Sequence, residues 1–279
     1  MKYDHIVVGG GTAGCILAAK LSEDQGRSVL LLEAGPEYPD FEQLPEMLKN
    51  GWGLINLQAR AANSPFNWSF TGKATPQQPN PMPVPRGKVL GGSSAINGQT
   101  FIRGAPEDFD TWASWGNDEW SYIKVLPYFR QIENDEDFRD DFHGTNGPVP
   151  VRRHKREDWP PLQEAFYRAC VSAGYPYNPD NHDPDATGVS LRAENNVDGV
   201  RMSMALTHIE PNRNRLNLTI KANVQVMRIV FSDNQATGLE VESGGERFLV
   251  EGDQIPPGAG AVGSPQLLML SGIGPRDQL

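Results

Sequence analysis

Residues 6–21 read IVVGGGTAGCILAAKL. An apolar, β-branched run at residues 4–8 meets three glycines, and helical spacing follows at once, with Cys15, Leu17, Ala18 and Leu21 able to share one face. Residues 28–35 (SVLLLEAG) form a second buried-strand run, stopped by Gly35 and Pro36. Strand, helix and strand in so short a space predict a βαβ unit with a right-handed crossover. Within it, Gly9, Gly11 and Gly14 fit G-x-G-x-x-G. The first glycine permits a tight turn, the second lets backbone approach a pyrophosphate, and the third lets helix and strand pack closely. Unpaired N–H groups and the positive dipole end at the helix start suit phosphate. Glu33 lies 19 residues after Gly14, at the end of the second strand, where a carboxylate can accept from ribose hydroxyls. The pattern predicts a dinucleotide but leaves NAD and FAD both open.

The formal net charge of −10 argues against a nucleic-acid partner. The basic run at residues 152–156 is followed by Glu157 and Asp158 and reads as a solvated loop. No apolar stretch approaches the ~20 residues that span a bilayer. No secretory series precedes the first strand, and Cys15 and Cys170 do not make a disulfide framework, so a cytoplasmic protein with a buried Cys15 thiol is expected.

Helices are predicted from Pro106 through Trp112, over 121–132 with a break or kink at Pro127, over 161–173 and over 203–209. The proline-rich stretch at 79–87 must be extended. From Leu216 the pattern alternates. Residues 216–231, 236–243 and 246–252 read as three strands, joined by turns at Asp233 and Asn234 and at Gly244 and Gly245.

A second glycine-rich stretch, residues 86–104 (RGKVLGGSSAINGQTFIRG), has no role in a plain nicotinamide domain. Residues 87–97, followed by Phe101, Gly104 and Asp110, resemble the first signature of the glucose-methanol-choline (GMC) oxidoreductases. Residues 260–274 (GAVGSPQLLMLSGIG) resemble the second. The resemblance extends over the whole chain. It implies an α/β fold (α+β overall): a Rossmann-like FAD-binding βαβ sheet with helices on both faces, plus a partial antiparallel-sheet substrate domain. The expected division is residues 1–160 and 216–279 for FAD binding and 161–215 for a partial substrate or cap region.

The resemblance also implies which residues hold the cofactor. Gly9, Gly11, Thr12, Ala13 and Gly14 meet the pyrophosphate, and Glu33 and Ala34 meet the adenosine ribose. Val89, Gly92, Ser93, Asn97, Gly98, Gln99 and Thr100 lie along the pyrophosphate and isoalloxazine. Val224 offers its main chain to adenine. Some relatives attach FAD through a His that Ile96 replaces here, so non-covalent FAD is expected. Arg201 and Ser203 fit a family R-x-S with a structural role at least as fitting as a functional one, and His143 and Gly144 fit a family turn. No metal-binding residue is assigned.

Such enzymes oxidise a small-molecule alcohol: a base takes the hydroxyl proton, hydride passes to flavin N5, and oxygen or another acceptor takes the electrons. The base, a His paired with His or Asn, falls well after the second signature. The chain ends at Leu279, so no catalytic residue is assigned. The expectation is an N-terminal portion, inactive alone, lacking the C-terminal half of the fold. His5, His143, His154, His182 and His208 lie in no motif that aims them at a flavin. Two readings compete: a non-catalytic FAD-binding module or half-protein needing a complementing chain, and an NAD-dependent dehydrogenase resting only on the first glycines and Glu33. One departure from the family stands out. Pro256 and Pro257 occupy places where an internal strand is expected, and each removes a ladder donor, which predicts local disruption. After them, Ser264 is the expected N-cap and Pro265 the first residue of a helix.

Overall fold

A computed structural model describes residues 2–279. The chain forms two compact units, one of residues 1–98 and 199–279, the other of residues 99–198. The expected boundaries lay at 160/161 and 215/216. The segment before 160 carries strands that pair with Ala193–Glu194, and Arg201 ties the following segment to residues 47, 48 and 95, so contacts divide the chain elsewhere. Among the described residues, no helix is long and apolar enough to cross a membrane.

In the first unit, the opening strand Lys2–Val8 lies between two parallel neighbours, Val29–Leu32 and Glu246–Gln254. Leu218–Lys221 extends the parallel set beyond Val29–Leu32. One face of these strands carries Val7, Val29 and Leu31, all fully buried, and the helix Thr12–Leu21 packs there through Cys15, Ala18 and Ala19. The other face carries Ile6, Val8, Leu30 and Leu32. Strands cover most of it: Ile229, Leu239 and Val241 from the antiparallel meander Gln225–Ser232, Gln235–Ser243 and Glu246–Gln254, with Leu267 from the helix Gly260–Leu270. Period-2 burial puts these residues inside, and each large one contributes ~1.5–3 kcal/mol by leaving water.

The long last strand belongs to both layers. Its residues 246–251 pair with the meander and its end pairs with the opening strand, so Glu251 faces Gly238 on one side and Lys2 on the other.

Three expectations need correction. The run 216–231 is not one strand. It breaks after Lys221, where Asn223 takes φ 55° and the chain leaves one edge of the sheet to begin the meander at Gln225. Asparagine tolerates that left-handed conformation better than most residues. Second, Pro256 and Pro257 do not detach the chain from the sheet. The Pro256 carbonyl accepts from Val8 N–H at 3.2 Å, and Gly258 N–H donates to the Val8 carbonyl at 2.7 Å. The groups facing the opening strand there are the Pro256 carbonyl and the Gly258 amide, so Pro257 presents no nitrogen to that ladder. Third, the helix after them starts at Gly260, with Ala259 as its N-cap. Ser264 is therefore inside it, and so is Pro265, which withdraws the donor that would reach the carbonyl four residues back.

The second unit holds the helices Pro106–Ser114, Tyr122–Ile132 and Pro161–Ser172 and a small sheet, against which Tyr122–Ile132 packs. Glu133–Asp135 runs parallel to Val149–Arg153, which runs antiparallel to Ala193–Glu194. Val149, Val151 and Ala193 are buried in it beside a set of buried charges.

Candidate functional site

The opening strand ends where Gly9 turns at φ 92°. A side chain on Gly14 would put Cβ 1.8 Å from the Gly9 carbonyl oxygen, so helix and turn touch backbone to backbone. Gly11 caps the helix without any side-chain cap, which leaves the N–H groups of the first turn for a ligand. Glu33 braces the turn from below. Its Oε2 accepts from Gly10 N–H at 2.8 Å and its Oε1 from Gly35 N–H at 2.9 Å. Burial of the carboxyl pushes its pKa up to about 7, although those two N–H donors oppose the shift. Cys15 donates its thiol to the Gly10 carbonyl at 3.2 Å, and burial pushes that thiol up to about 12.

The second glycine stretch lies against the first. Gly91 N–H donates to the Gly10 carbonyl at 2.7 Å. Gly91 and Gly92 take φ 94° and 52°, and a Cβ on Gly92 would stand 2.6 Å from Gly11 Cα. Only glycine satisfies both demands. A short turn, Gly92–Ala95, follows. Ser94 Oγ donates to the Gly91 carbonyl at 2.6 Å and accepts from Met204 N–H at 2.9 Å. Arg201, fully buried, donates to the carbonyls of Met47, Leu48, Asn50 and Ala95 and to Asn56 Oδ1. Burial without a carboxylate partner lowers its pKa to about 10. The R-x-S segment is thus a clamp behind the loop.

These elements enclose a cavity of about 550 Å³, within the range of small-molecule and cofactor sites. Of the residues expected to hold the cofactor, Gly9, Gly11, Thr12, Ala13, Glu33, Ala34, Gly92, Ser93 and Val224 line it. The remaining expected residues do not. Gly14 packs on the turn, and Val89 is buried in a separate apolar cluster with Ala95 and Ile96. Asn97 and Gly98 follow the loop without lining the cavity. Gln99 and Thr100 belong to the second unit, where Gln99 accepts from the Asn196 amide and the exposed Thr100 bridges to Glu194. Val224 N–H is committed to the Glu33 carbonyl at 2.9 Å, so its main chain is only half open to a ligand.

A further wall, residues 260–264 with Gln266, Leu267 and Leu270, belongs to the second signature, whereas the aromatic wall had no sequence signal. Trp68 and Phe70 stack with centroids 6.0 Å apart, Lys88 Nζ sits 4.7 Å over Trp68, and Trp68, Phe70 and Arg86 all line the cavity. Phe70 stands on a hairpin of Phe70–Gly72 and Met82–Val84, which Trp68 and Arg86 flank, and whose prolines mark an extended chain but not a wall. Among the described residues, no histidine lines the cavity. His5, His143, His182 and His208 are buried elsewhere, and His154 lies beside Glu194 at 3.1 Å.

The family model described as "GMC oxidoreductase" matches residues 3–279. An "Uncharacterized GMC-type oxidoreductase" of Rhodococcus erythropolis is 40% identical over 276 residues, covering 99% of this chain and 54% of the relative. An "Oxygen-dependent choline dehydrogenase" of Sinorhizobium fredii is 36% identical, covering 100% of this chain and 49% of the relative. Among solved structures, pyridoxine 4-oxidase from "Mesorbium loti" superposes with a TM-score of 0.90 at 35% identity, over 99% of this chain and 53% of that one. A "FAD-dependent oxidoreductase" from Chaetomium thermophilum gives 0.87 at 27% identity, over 99% and 48%. The chain spans about half the length of the curated relatives it matches.

Proposed function

The chain belongs to the GMC oxidoreductase family, and from that premise we propose that its cavity binds FAD without a covalent bond, as the cofactor half of an enzyme that oxidises a small-molecule alcohol at a CH–OH group. The carrying observation is the uncapped helix start at Gly11, which opens into the cavity that Gly92 and Ser93 also line, with the backbones of Gly11 and Gly92 in a contact that only glycine allows. A diphosphate suits that helix start: the N–H groups of the first helical turn donate to it, and the helix dipole favours its charge. Glu33, with Ala34 beside it, takes the ribose hydroxyls. Its carboxyl is already positioned by two amides, so little ordering is lost on binding. The Val224 carbonyl and the adjoining Gln225 and Met227 supply the edge for adenine. Trp68 and Phe70 offer apolar area for a flat ring.

Bound FAD supplies the hydride acceptor. The residues of this chain hold it, orient it and exclude water. Ile96, 2% exposed in an apolar cluster, has no atom that could attach it. The proposed substrate is an alcohol, with oxygen or another acceptor taking the electrons.

The test is titration of the purified chain with FAD and, separately, NADH. Saturable FAD binding with a visible flavin spectrum, and release of all colour into an acid supernatant, are expected. Absence of FAD binding, or preferential protection by NADH, overturns the reading.

A further inference from the structure

His143 is fully buried, yet its imidazole faces carboxylates on three sides. Nδ1 lies 2.8 Å from Asp140 Oδ1. Nε2 points between Asp180 Oδ2 at 3.3 Å and Asp135 Oδ2 at 3.8 Å, and makes no hydrogen bond. A neutral imidazole that donates its Nδ1–H to a carboxylate keeps a lone pair on Nε2, whereas a protonated ring keeps none. Buried lone pairs turned toward carboxylates repel unless a positive charge sits among them. His182 repeats the arrangement. Its Nε2–H is directed at the Phe101 carbonyl, 2.9 Å away, and its Nδ1 is buried without a partner. The two rings stack with centroids 6.0 Å apart. One ligand atom each from Asp135, His143 and His182 lies within 4.8 Å of the others.

Metal-binding histidines characteristically donate their second N–H to a carboxylate or carbonyl, which fixes the tautomer and turns the lone pair to the ion. Both histidines have such a partner here. We propose that His143, His182 and Asp135, with Asp180 as fourth ligand, form a divalent cation site in the second unit, built for zinc or a zinc-like ion. Imidazole and carboxylate are ligands of that class. A tetrahedral ion with bonds of ~2.0–2.1 Å holds its ligand atoms ~3.4 Å apart. The His143–Asp180 pair stands at 3.3 Å and the His143–Asp135 pair at 3.8 Å, and the ligand atoms of Asp135, His143 and His182 lie within 4.8 Å of one another. Charge agrees. Asp135 and Asp180 are balanced by one guanidinium, Arg153, which contacts both. Its Nη2 takes Asp180 Oδ1 at 2.8 Å and leaves Oδ2 for the ion. None of these residues lines the cavity. The site's role is structural: it ties residues 135–143 to residues 180–182, so binding energy becomes folding energy.

The full chain, stripped with a chelator, is titrated with zinc chloride by calorimetry and thermal denaturation, and with cobalt(II) by visible absorption. Expected are about one equivalent bound, a raised melting temperature and a tetrahedral cobalt spectrum. H143Q and H182Q abolish all three. D140N, at a partly exposed carboxylate outside the ligand set, folds and binds ~10–100-fold more weakly. H154Q binds as the parent does. Absence of heat, shift and spectrum overturns the site, as does equal binding by the parent and H182Q. So does a doubly protonated His143 that persists in nitrogen NMR spectra with zinc in excess.

Discussion

The unit of residues 1–98 and 199–279 and the unit of residues 99–198 solve burial by opposite means. In the first, the sheet core is hydrocarbon, from Ile6 to Leu267, its close approaches are backbone on backbone at Gly14, Gly35, Gly87 and Gly92, and the buried Arg201 is held by carbonyls and an amide with no carboxylate. Among the described residues its one buried carboxyl, Glu33, is held by amides. In the second, the middle is ionic: Arg103 on Glu133, and Arg153 across Asp135 and Asp180, with side chains almost wholly out of water. Close packing gives a rigid mould for a ligand. An ionic centre specifies partners, but each group in it becomes costly when its partner is removed.

The sharpest way to break this contrast is Arg153→Met in chelator-treated protein. It leaves Asp135 and Asp180 buried without their counter-charge and should cost ~3–5 kcal/mol, read as a lowered urea midpoint for the second unit. Gly92→Ala tests the first unit. The new methyl meets Gly11 Cα at a left-handed φ, with a cost of ~1–3 kcal/mol and a loss of FAD affinity, while the second unit keeps its protease resistance.

The pH response comes next. Glu33 holds its proton more tightly when folded, about 7 against a usual 4.5, so the folded chain carries more protons through that window. Stability from this group is full below pH ~4.5 and is lost as pH rises through ~7, on the order of 1–3 kcal/mol. Urea midpoints of the FAD-free protein at pH 5 and pH 8, with E33Q as the flat control, check it. The smallest effect is at an exposed pair: R228A removes a cross-strand contact to Glu240 and should cost ~0–1 kcal/mol. A loss near that of Arg153→Met would erase the contrast between exposed and buried charges.

The glycine turn, Glu33 and the second glycine loop were legible because each requirement falls on a residue type: no Cβ, or a carboxylate at a strand end. Gly9, Gly11, Glu33, Gly92 and Ser93 share one cavity wall. The break at Asn223 was hidden because alternation continues through it. Asparagine at that point was the available signal. Gln99 was misplaced for a different reason. A motif read as continuous crosses from one unit to the other at residue 98, and nothing in local spacing marks that crossing. Trp68 and Arg86 were missed since a wall built by a hairpin depends on where its pairing starts, here Asn67 Oδ1 accepting from Arg86 N–H. The prolines at 256 and 257 looked worse than they are, because the damage depends on which way a nitrogen faces and spacing does not say.

Glu251, shared between Gly238 and Lys2, makes the meander and the parallel strands two arms of a single lever. Neither arm can swing away while that residue holds both neighbours. In deuterated solvent, backbone protons of Leu239 and Val7 should therefore exchange through one common opening, with one shared opening free energy.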